Sequence, residues 1–174
     1  MSAQRRITSS VTEARVQEPG GFERFFENHH RRLFGAMCLI TGDRQEADEI
    51  AQEAFARIWE RWDRVSGLED PTGFLFRTAT NVFRNRRRRA GVALRRSLAP
   101  SPPQDALAAV EDRDDLIRAL RPLSPRQRAA LVLTGYLGYT AVEAGRILGI
   151  KPSTVRALAT QGRSAVRTNV EAIG

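Results

Sequence analysis

The stretch DRQEADEIAQEAFARIWERW, residues 43–62, decides the fold of this chain. Its apolar residues recur at spacings of three and four, which is the pattern of one buried stripe on an α-helix. The stripe consists of Ala47, Ile50, Ala51, Ala54, Phe55, Ile58, Trp59 and Trp62. The opposite side carries a row of polar residues, namely Asp48, Glu49, Gln52, Glu53 and Glu60. We therefore predict a helix that buries both tryptophans and presents a carboxylate row to a basic partner.

A second helix is predicted after a polar loop at residues 63–72, because Pro71 suits a first helical turn. One of its stripes should pack on the tryptophan side of the preceding helix, and it consists of Leu75, Thr78, Ala79 and Val82. The other stripe consists of Phe74, Arg77, Asn81, Arg84, Asn85 and Arg88. Guanidinium, amide and aromatic groups on one face can pair with phosphates, bond base edges and stack unpaired bases. The alternative is a solvated basic face with Phe74 in the core.

The composition agrees with a polyanionic partner but does not identify it. The chain has 174 residues, a net charge of +8 and 28% charged residues. Seven arginines and no acid lie between Arg84 and Arg96, which favours phosphate contacts. No apolar run approaches the roughly 18 residues of a membrane span, and residues 1–20 lack the apolar core of a signal peptide. We expect a cytoplasmic protein with a disordered leader at residues 1–20.

The helix before the opening stretch contains the residues that could suggest a metal site. Apolar residues from Phe22 to Ile40 recur at helical spacing, and Gly42 is expected to end this helix in a left-handed conformation. His29, His30 and Cys38 do not make a zinc site, because zinc sites use four ligands and the chain has one cysteine and two histidines. We interpret them as surface imidazoles and a core thiol, and we expect no cofactor.

Composition changes sharply near residue 99, where a proline-rich segment begins. Residues 99–105, APSPPQD, cannot be helical, so they indicate an extended linker between two small helical domains. We place the domain boundaries at residues 21–96, 97–111 and 112–174. A helix is expected to resume near Ala106 and to open the second domain. The predicted fold class is therefore all-α.

The second domain carries the pattern of a helix-turn-helix. Ser124 with Gln127, and then Thr140 with Glu143, have capping-box spacing, while Gly149 supplies a turn before a last helix. The second helix of such a motif usually enters the DNA major groove. Its exposed residues are polar or basic, and they are Ser153, Thr154, Arg156, Thr160, Gln161 and Arg163. The alternative is an ordinary pair of helices in a bundle.

Both halves together resemble the bacterial RNA polymerase sigma factors of the extracytoplasmic-function (ECF) group, which contain only sigma regions 2 and 4. The resemblance covers Phe22 to about Val170. It rests on ADEIAQEAF at residues 47–55, FLFR at residues 74–77, and LSPRQR at residues 123–128 with the later TVR at residues 154–156. These motifs occur in the family's order on either side of the proline-rich segment.

The resemblance implies a role for each polar surface. The acidic helix would dock on the clamp of the largest subunit of core RNA polymerase through Asp48, Gln52, Glu53 and Arg57. The loop and basic helix would read and open the minus-10 promoter element through Ser66, Gly67, Phe74, Arg77, Asn81, Arg84, Asn85 and Arg88. The last helix would read the minus-35 element through Ser153, Thr154, Arg156, Thr160, Gln161 and Arg163. An anti-sigma factor is a further expected partner, and no catalysis is expected.

The sequence departs from the family pattern around the last helix. Lys151 stands where a small helix cap is usual, Leu158 and Gln161 replace residues that are often basic, and Ala159 replaces a leucine. These differences leave the minus-35 specificity open. Two other classes also stay open at this point, a stand-alone helix-turn-helix regulator and a nucleic-acid enzyme. The first would leave the acidic helix without a role, and the second would need carboxylates converging with His or Lys.

Overall fold

In a computed structural model, residues 21–96 and 111–173 are described and are almost wholly helical. The first range folds into α1 (Gly21–Thr41), α2 (Arg44–Trp59), the short α3 (Trp62–Val65) and α4 (Pro71–Arg96). The second range folds into α5 (Glu111–Leu120), α6 (Pro125–Leu131), a single π-helical turn (Val132–Tyr136), α7 (Ala141–Leu148) and α8 (Pro152–Ile173). No strand occurs in either range. The predicted all-α fold is confirmed.

The first half is built around α2, as the opening stretch predicted. Ala47, Ile50, Ala51 and Ile58 are completely buried between α1 and α4. Asp43 caps α2 by accepting a hydrogen bond from the Glu46 N–H at 2.7 Å. The Asp43 N–H donates to Thr41 Oγ1 at 3.0 Å, so the side chain of Glu46 does not complete a capping box here.

The prediction that both tryptophans lie in the core of one helix was wrong. The α2 helix ends at Trp59, and Trp62 begins α3, so part of the predicted loop at residues 63–72 is helical. Trp59 is 56% exposed, and its ring packs edge-on against Phe22 of α1 at 4.8 Å between centroids. Trp62 is half-buried against Phe22 and Phe25. The tryptophans therefore pack on the beginning of α1, whereas α4 covers the aliphatic part of the α2 stripe.

The histidines differ from the surface imidazoles that were predicted. Both are half-buried, and the His29 ring packs at a tilt against Phe25, 4.5 Å between centroids, while its Nε2 lies 3.4 Å from Thr72 Oγ1. Burial first, and then the positive charge of Arg32, lower the pKa of His29 below its ordinary value. Cys38 is buried, as predicted. His29 thus helps to join α1 to the first turn of α4.

The second half contains the predicted helix-turn-helix. Ser124 with Gln127 and Thr140 with Glu143 both form complete capping boxes, at the beginnings of α6 and α7. Gly149 takes the left-handed conformation, with φ of 68°, and turns the chain from α7 towards α8. Gly145 allows the turn to pass close by, because a Cβ at that position would lie 2.8 Å from the Ile150 carbonyl oxygen. The helix that was expected to begin near Ala106 is described from Glu111, and residues 97–110 lie outside the described part.

The two halves also pack against each other, which the prediction of separate domains on a linker did not include. Helix α4 contacts α7, and α1 contacts α6 and the π-helical turn. Phe76 of α4 is completely buried and meets the Tyr139 ring edge-on at 5.8 Å. We call this contact zone the domain seam. It brings the predicted DNA-binding helices of the two halves onto one compact body.

Candidate functional surfaces

The acidic face of α2 consists of Asp48, Glu49, Gln52, Glu53 and Arg57, and it lies on the outside of the molecule. Gln52 donates to Asp48 Oδ2 at 2.7 Å, and Arg57 donates to Glu53 Oε1 at 2.6 Å, each one helical turn away. Such i, i+4 pairs hold side chains in position but stabilise a helix only slightly. The structure thus places the four predicted polymerase-docking residues on one side of α2, with Gln52 and Arg57 exposed and Asp48 and Glu53 half-buried.

Arg86 of α4 reaches across to this acidic face, which sequence reasoning missed. Its guanidinium donates to Glu49 Oε2 at 2.7 Å and to Glu53 Oε2 at 3.2 Å. The hydrogen bond from Arg86 is the main reason that the pKa of Glu49 is lowered. The spacing could have predicted this contact, because residues 79, 82 and 86 lie on the same side of a helix. Ala79 and Val82 belong to the α4 stripe that packs on α2. One member of the arginine run is therefore structural and neutralises part of the carboxylate row.

The α4 polar face consists of the predicted minus-10 residues, and the structure gives them unequal exposure. Phe74, Asn81 and Asn85 are half-buried, while the other members, Arg77, Arg84 and Arg88, are exposed. Ser66 and Gly67 are exposed in the loop that precedes the helix. The guanidinium of Arg84 donates to the Asn81 side-chain oxygen and lies 3.5 Å from the Leu148 carbonyl oxygen of α7. Two alternatives were predicted for Phe74, a surface ring that stacks a base and a ring in the core. The structure lies between them, because the residue is half-buried.

Helix α7 covers one flank of the α4 polar face. A surface cavity of about 270 Å³ separates the two helices at this point. It is lined by Phe74 and Arg77 from α4, and by Glu143 and Arg146 from α7. A carboxylate and a second cation therefore lie beside the residues that were predicted to hold single-stranded DNA.

The recognition face of α8 consists of the predicted minus-35 residues. Thr154 is half-buried and the others, Ser153, Arg156, Thr160, Gln161 and Arg163, are exposed. Val155, Ala159 and Gly162 point into the core, so the opposite side of the helix is fixed. Gln161 Oε1 accepts a 3.3 Å hydrogen bond from Gln127 of α6, which holds the amide at the edge of this face.

Other chemistries find little support among the described residues. No three His, Cys, Asp or Glu side chains in residues 21–96 and 111–173 converge in a way that could hold a metal ion. Within those same ranges, none of the helices combines the length and apolar character that crossing a bilayer requires. The predicted binding residues lie on three surfaces, the acidic face, the α4 polar face and the recognition face.

Comparison with known proteins assigns a family to each half. The sigma-70 region 2 family matches residues 25–92, and the sigma-70 region 4 family matches residues 113–166. The ECF RNA polymerase sigma factor SigG of Mycobacterium tuberculosis is 27% identical over 92% of this chain. SigL of the same organism is 26% identical, with 94% of this chain and 97% of the relative covered. The chain spans about half the length of SigG, at 51%.

A solved structure has the same arrangement of helices. It is the sigma factor RpoE of Bartonella quintana in complex with the anti-sigma factor NepR. The TM-score is 0.74, with 20% sequence identity, and the alignment covers 87% of this chain and 98% of that one. At this identity the similarity establishes the fold.

Proposed function

Because this chain belongs to the sigma-70 family, in its ECF group, we propose that it binds core RNA polymerase and directs it to specific promoters. The observation that supports this proposal is the presence of three distinct polar surfaces on a region 2 and region 4 fold. One surface is acidic and two contain arginines, amides and hydroxyls. In this proposal the protein supplies recognition and the polymerase supplies the chemistry, so the protein acts in the cytoplasm where transcription takes place.

The acidic face of α2 is the proposed docking surface for the clamp of the largest polymerase subunit. Asp48, Gln52 and Glu53 share one outer side of the helix, with Gln52 exposed and the two carboxylates half-buried, and Arg57 lies at its end. The link from Arg86 to Glu53 fixes the orientation of this face relative to α4. Polymerase bound here would hold α4 at a defined position relative to the promoter.

The α4 polar face is the proposed minus-10 surface. Ser66 and Gly67 in the preceding loop extend it towards an opened strand. Arg77, Arg84 and Arg88 would contact phosphates, while Asn81 and Asn85 would bond base edges. The half-buried ring of Phe74 would stack on an unpaired base, since aromatic faces accept any base.

The recognition face of α8 is the proposed minus-35 surface, which would read duplex DNA in the major groove. Arg156 and Arg163 would position the helix on phosphates or guanines. Gln161 has the side chain that pairs in a bidentate manner with adenine.

The proposed domain boundaries are residues 21–96 for region 2, residues 97–111 for the linker and residues 112–174 for region 4.

We also propose an anti-sigma factor as a partner. A cavity of about 500 Å³ opens at the domain seam, with an apolar lining that includes Phe83, Leu148 and Leu158. Arg84 and Arg126 lie among its lining residues and would favour a partner with acidic side chains. Both the partner and its site rest on the family assignment together with this cavity.

Reconstitution with core RNA polymerase on a promoter library tests the function directly. We expect selective run-off transcripts that depend on the added chain. Their start sites would also identify the minus-10 and minus-35 sequences. Lack of binding to core polymerase, in a chain with normal helical content, would overturn the proposal.

Charge reversal tests the docking surface. The double variant Asp48→Lys/Glu53→Lys should weaken core binding at least tenfold, because opposed charges at an interface are replaced by like charges. The matched control is Glu23→Lys/Glu27→Lys, which reverses two exposed carboxylates on α1 and changes the net charge by the same amount. Equal effects of the two changes would show that net charge, and not the acidic face, determines binding.

A further inference from the structure

Gln161 of the recognition face is held by a hydrogen bond from another helix. Its Oε1 accepts from Gln127 Nε2 of α6 at 3.3 Å. Gln161 lies in the first half of α8, about two turns after Thr154 and on the same side of the helix. It is exposed, whereas Gln127 is half-buried. The contact therefore joins a predicted base-reading side chain to the neighbouring helix.

The orientation of both glutamine amides follows from a backbone donor. Gln127 completes the capping box of α6, in which its Oε1 accepts from the Ser124 N–H at 3.0 Å. A backbone N–H can only donate, so the Gln127 atom that faces Ser124 is the oxygen. The nitrogen of Gln127 then faces Gln161, where only the side-chain oxygen can accept from it. The Nε2 of Gln161 has no hydrogen-bond partner within residues 21–96 and 111–173, so it is the amide atom left to face DNA.

Packing between α6 and α8 keeps the two glutamines together. Gly162 follows Gln161 and faces α6, where an added Cβ would lie 3.6 Å from the Gln127 carbonyl oxygen and 3.5 Å from the Leu131 side chain. These are ordinary van der Waals distances, so the two helices are in close contact at this point. Ser124 Oγ also accepts from the Gln127 N–H at 3.3 Å, which fixes the beginning of α6. The contact between the glutamines is therefore set within the helix-turn-helix half.

Donors and acceptors select different bases in the major groove. Guanine and thymine present keto oxygens there, whereas adenine and cytosine present amino groups. A free glutamine pairs with adenine through both amide atoms, and its oxygen accepts from the adenine amino group. The oxygen of Gln161 is engaged by Gln127, so an amino base would have to compete with Gln127 for it. A keto base needs only the Nε2 donor, which is free of such competition.

We propose that Gln127 is a positioning residue that sets the base preference of Gln161, by turning its amide so that it donates to a keto base. This inference rests on the proposed minus-35 role of α8. Of the two keto bases, guanine offers a second acceptor, N7, beside its keto oxygen. Guanine is therefore the base expected at the position that Gln161 contacts, and adenine is the base expected from a glutamine without such a neighbour.

The variant Gln127→Glu reverses the hydrogen bond without removing the helix cap. A carboxylate still accepts from the Ser124 N–H, since glutamate is a usual partner in a capping box. It has no N–H to donate, so the Gln161 amide should turn, donate its Nε2 to the new carboxylate and present its oxygen to the DNA. The preferred base should then change from one with a keto oxygen to one with an amino group.

Transcription from a promoter library measures this change. The library carries every base pair at each minus-35 position in turn, and core polymerase with the full chain transcribes it. At one position the wild type should prefer guanine to adenine by roughly threefold to tenfold, as expected for one net hydrogen bond. Gln127→Glu should reverse that order, because a change in the donor and acceptor pattern alters which base is chosen.

Two controls separate this effect from charge and from folding. Arg126→Gln lowers the charge of α6 by the same amount at an exposed position and leaves both glutamines in place. It should reduce transcription from all library members alike, with the base preference unchanged. The double variant Gln127→Glu/Gln161→Ala should show neither preference at that position, because Gln127 acts through Gln161.

Nuclear magnetic resonance of the free chain tests the hydrogen bond without DNA or polymerase. The side-chain amide signals of Gln127 and Gln161 are assigned from the variants Gln127→Glu and Gln161→Ala. We expect a nuclear Overhauser contact between the Gln127 amide protons and the Gln161 side chain. In Gln161→Ala the Gln127 amide signals should shift, while circular dichroism shows unchanged helical content.

Each contrary result has a definite meaning. A preference for an amino base in the wild type, or the same preference in Gln127→Glu, would overturn the positioning role of Gln127. Absence of a contact between the two side chains in the free chain would overturn the hydrogen bond itself. Absence of transcripts with every form of the chain would overturn the proposed function, whereas the amide signals would still report on the contact.

Discussion

The α4 polar face and the recognition face of α8 have similar side chains but different surroundings. On α4, Arg84 bonds Asn81 and contacts the Leu148 carbonyl, while Arg86 is paired with two carboxylates of α2. On α8, no side-chain hydrogen bond or ion pair involving Arg156 or Arg163 occurs within the described part of the chain. The number of basic residues in a run therefore does not show how many of them can bind DNA, because some are paired within the protein.

This difference corresponds to the two forms of promoter DNA that the surfaces are proposed to meet. Duplex DNA is present before the polymerase acts, so a surface that reads it can remain exposed. Single-stranded DNA appears only after opening, so a surface that holds it can be covered until then. In the structure one flank of α4 packs on α7, whereas the recognition face of α8 is exposed.

The largest expected effect is on the stability of the helix-turn-helix that carries the recognition face. Gly145→Ala should destabilise region 4 by about 1–3 kcal/mol, because the new methyl group would overlap the Ile150 carbonyl. Denaturant unfolding followed by circular dichroism measures the loss. Gly91→Ala is the control, since a Cβ at this exposed helical position meets nothing within 4 Å. It should stabilise the chain by up to about 1 kcal/mol, and equal destabilisation by both changes would contradict the assignment of Gly145.

A second variant separates base reading from phosphate binding on α8. Gln161→Ala should reduce discrimination at one position of the minus-35 element by about 1–3 kcal/mol, provided that the amide bonds to a base. Arg163→Ala should weaken binding to all sequences alike and lower the salt dependence. Competition binding at fixed salt measures both effects. An unchanged sequence preference in Gln161→Ala would show that this side chain does not read a base.

A third variant tests which arginines of α4 are structural and which would bind DNA. Arg86→Ala removes the links to Glu49 and Glu53, so the thermal midpoint should fall by roughly 2–4 °C, a shift typical of a modest interaction in a chain of this size. High salt should reduce the difference, since these side chains are partly exposed. Arg88→Ala should leave the midpoint unchanged and weaken the binding of single-stranded minus-10 DNA. The reverse result would exchange the roles of the two arginines.

The smallest expected effect concerns His29, which lies where α1 meets α4. Its pKa is lowered in the folded chain, so its stabilising contribution is complete above the ordinary value of 6.5 and is lost as pH falls through the lower folded pKa. Between about pH 7 and about pH 5, the wild type should therefore lose slightly more stability than His29→Gln. Thermal unfolding across this range measures the difference, with His30→Gln as the neighbouring control. Parallel curves for wild type and His29→Gln would contradict it.

Local chemistry made much of the fold predictable from the sequence. The aliphatic stripe of α2, the capping boxes at Ser124 and Thr140, and the left-handed glycine at Gly149 each depend on residues close together in the chain. The exposure of the recognition face followed from the same periodicity. These features are set by contacts within one or two helical turns, which is the range that a sequence pattern reports.

Features that depend on contacts between distant residues were missed. Trp59 continues the apolar spacing of α2, but its ring extends past the end of the core and rests on Phe22. Arg128 reads as a surface residue of α6, yet it is buried against a different half of the chain. The spacing gives the direction of a side chain on its own helix and does not reveal which surface approaches it. The domain seam was for this reason outside what the pattern could predict.

The placement of the tryptophans has a consequence for spectroscopy. The chain has two tryptophans, and both Trp59 and Trp62 lie in the first half, next to the acidic face of α2. Intrinsic indole emission will therefore report on region 2 and remain nearly silent about region 4. Trp59, with 56% exposure, should shift its emission to shorter wavelength if polymerase covers it. Unfolding followed by emission and by circular dichroism would then distinguish a chain that melts as one unit from one whose halves melt separately.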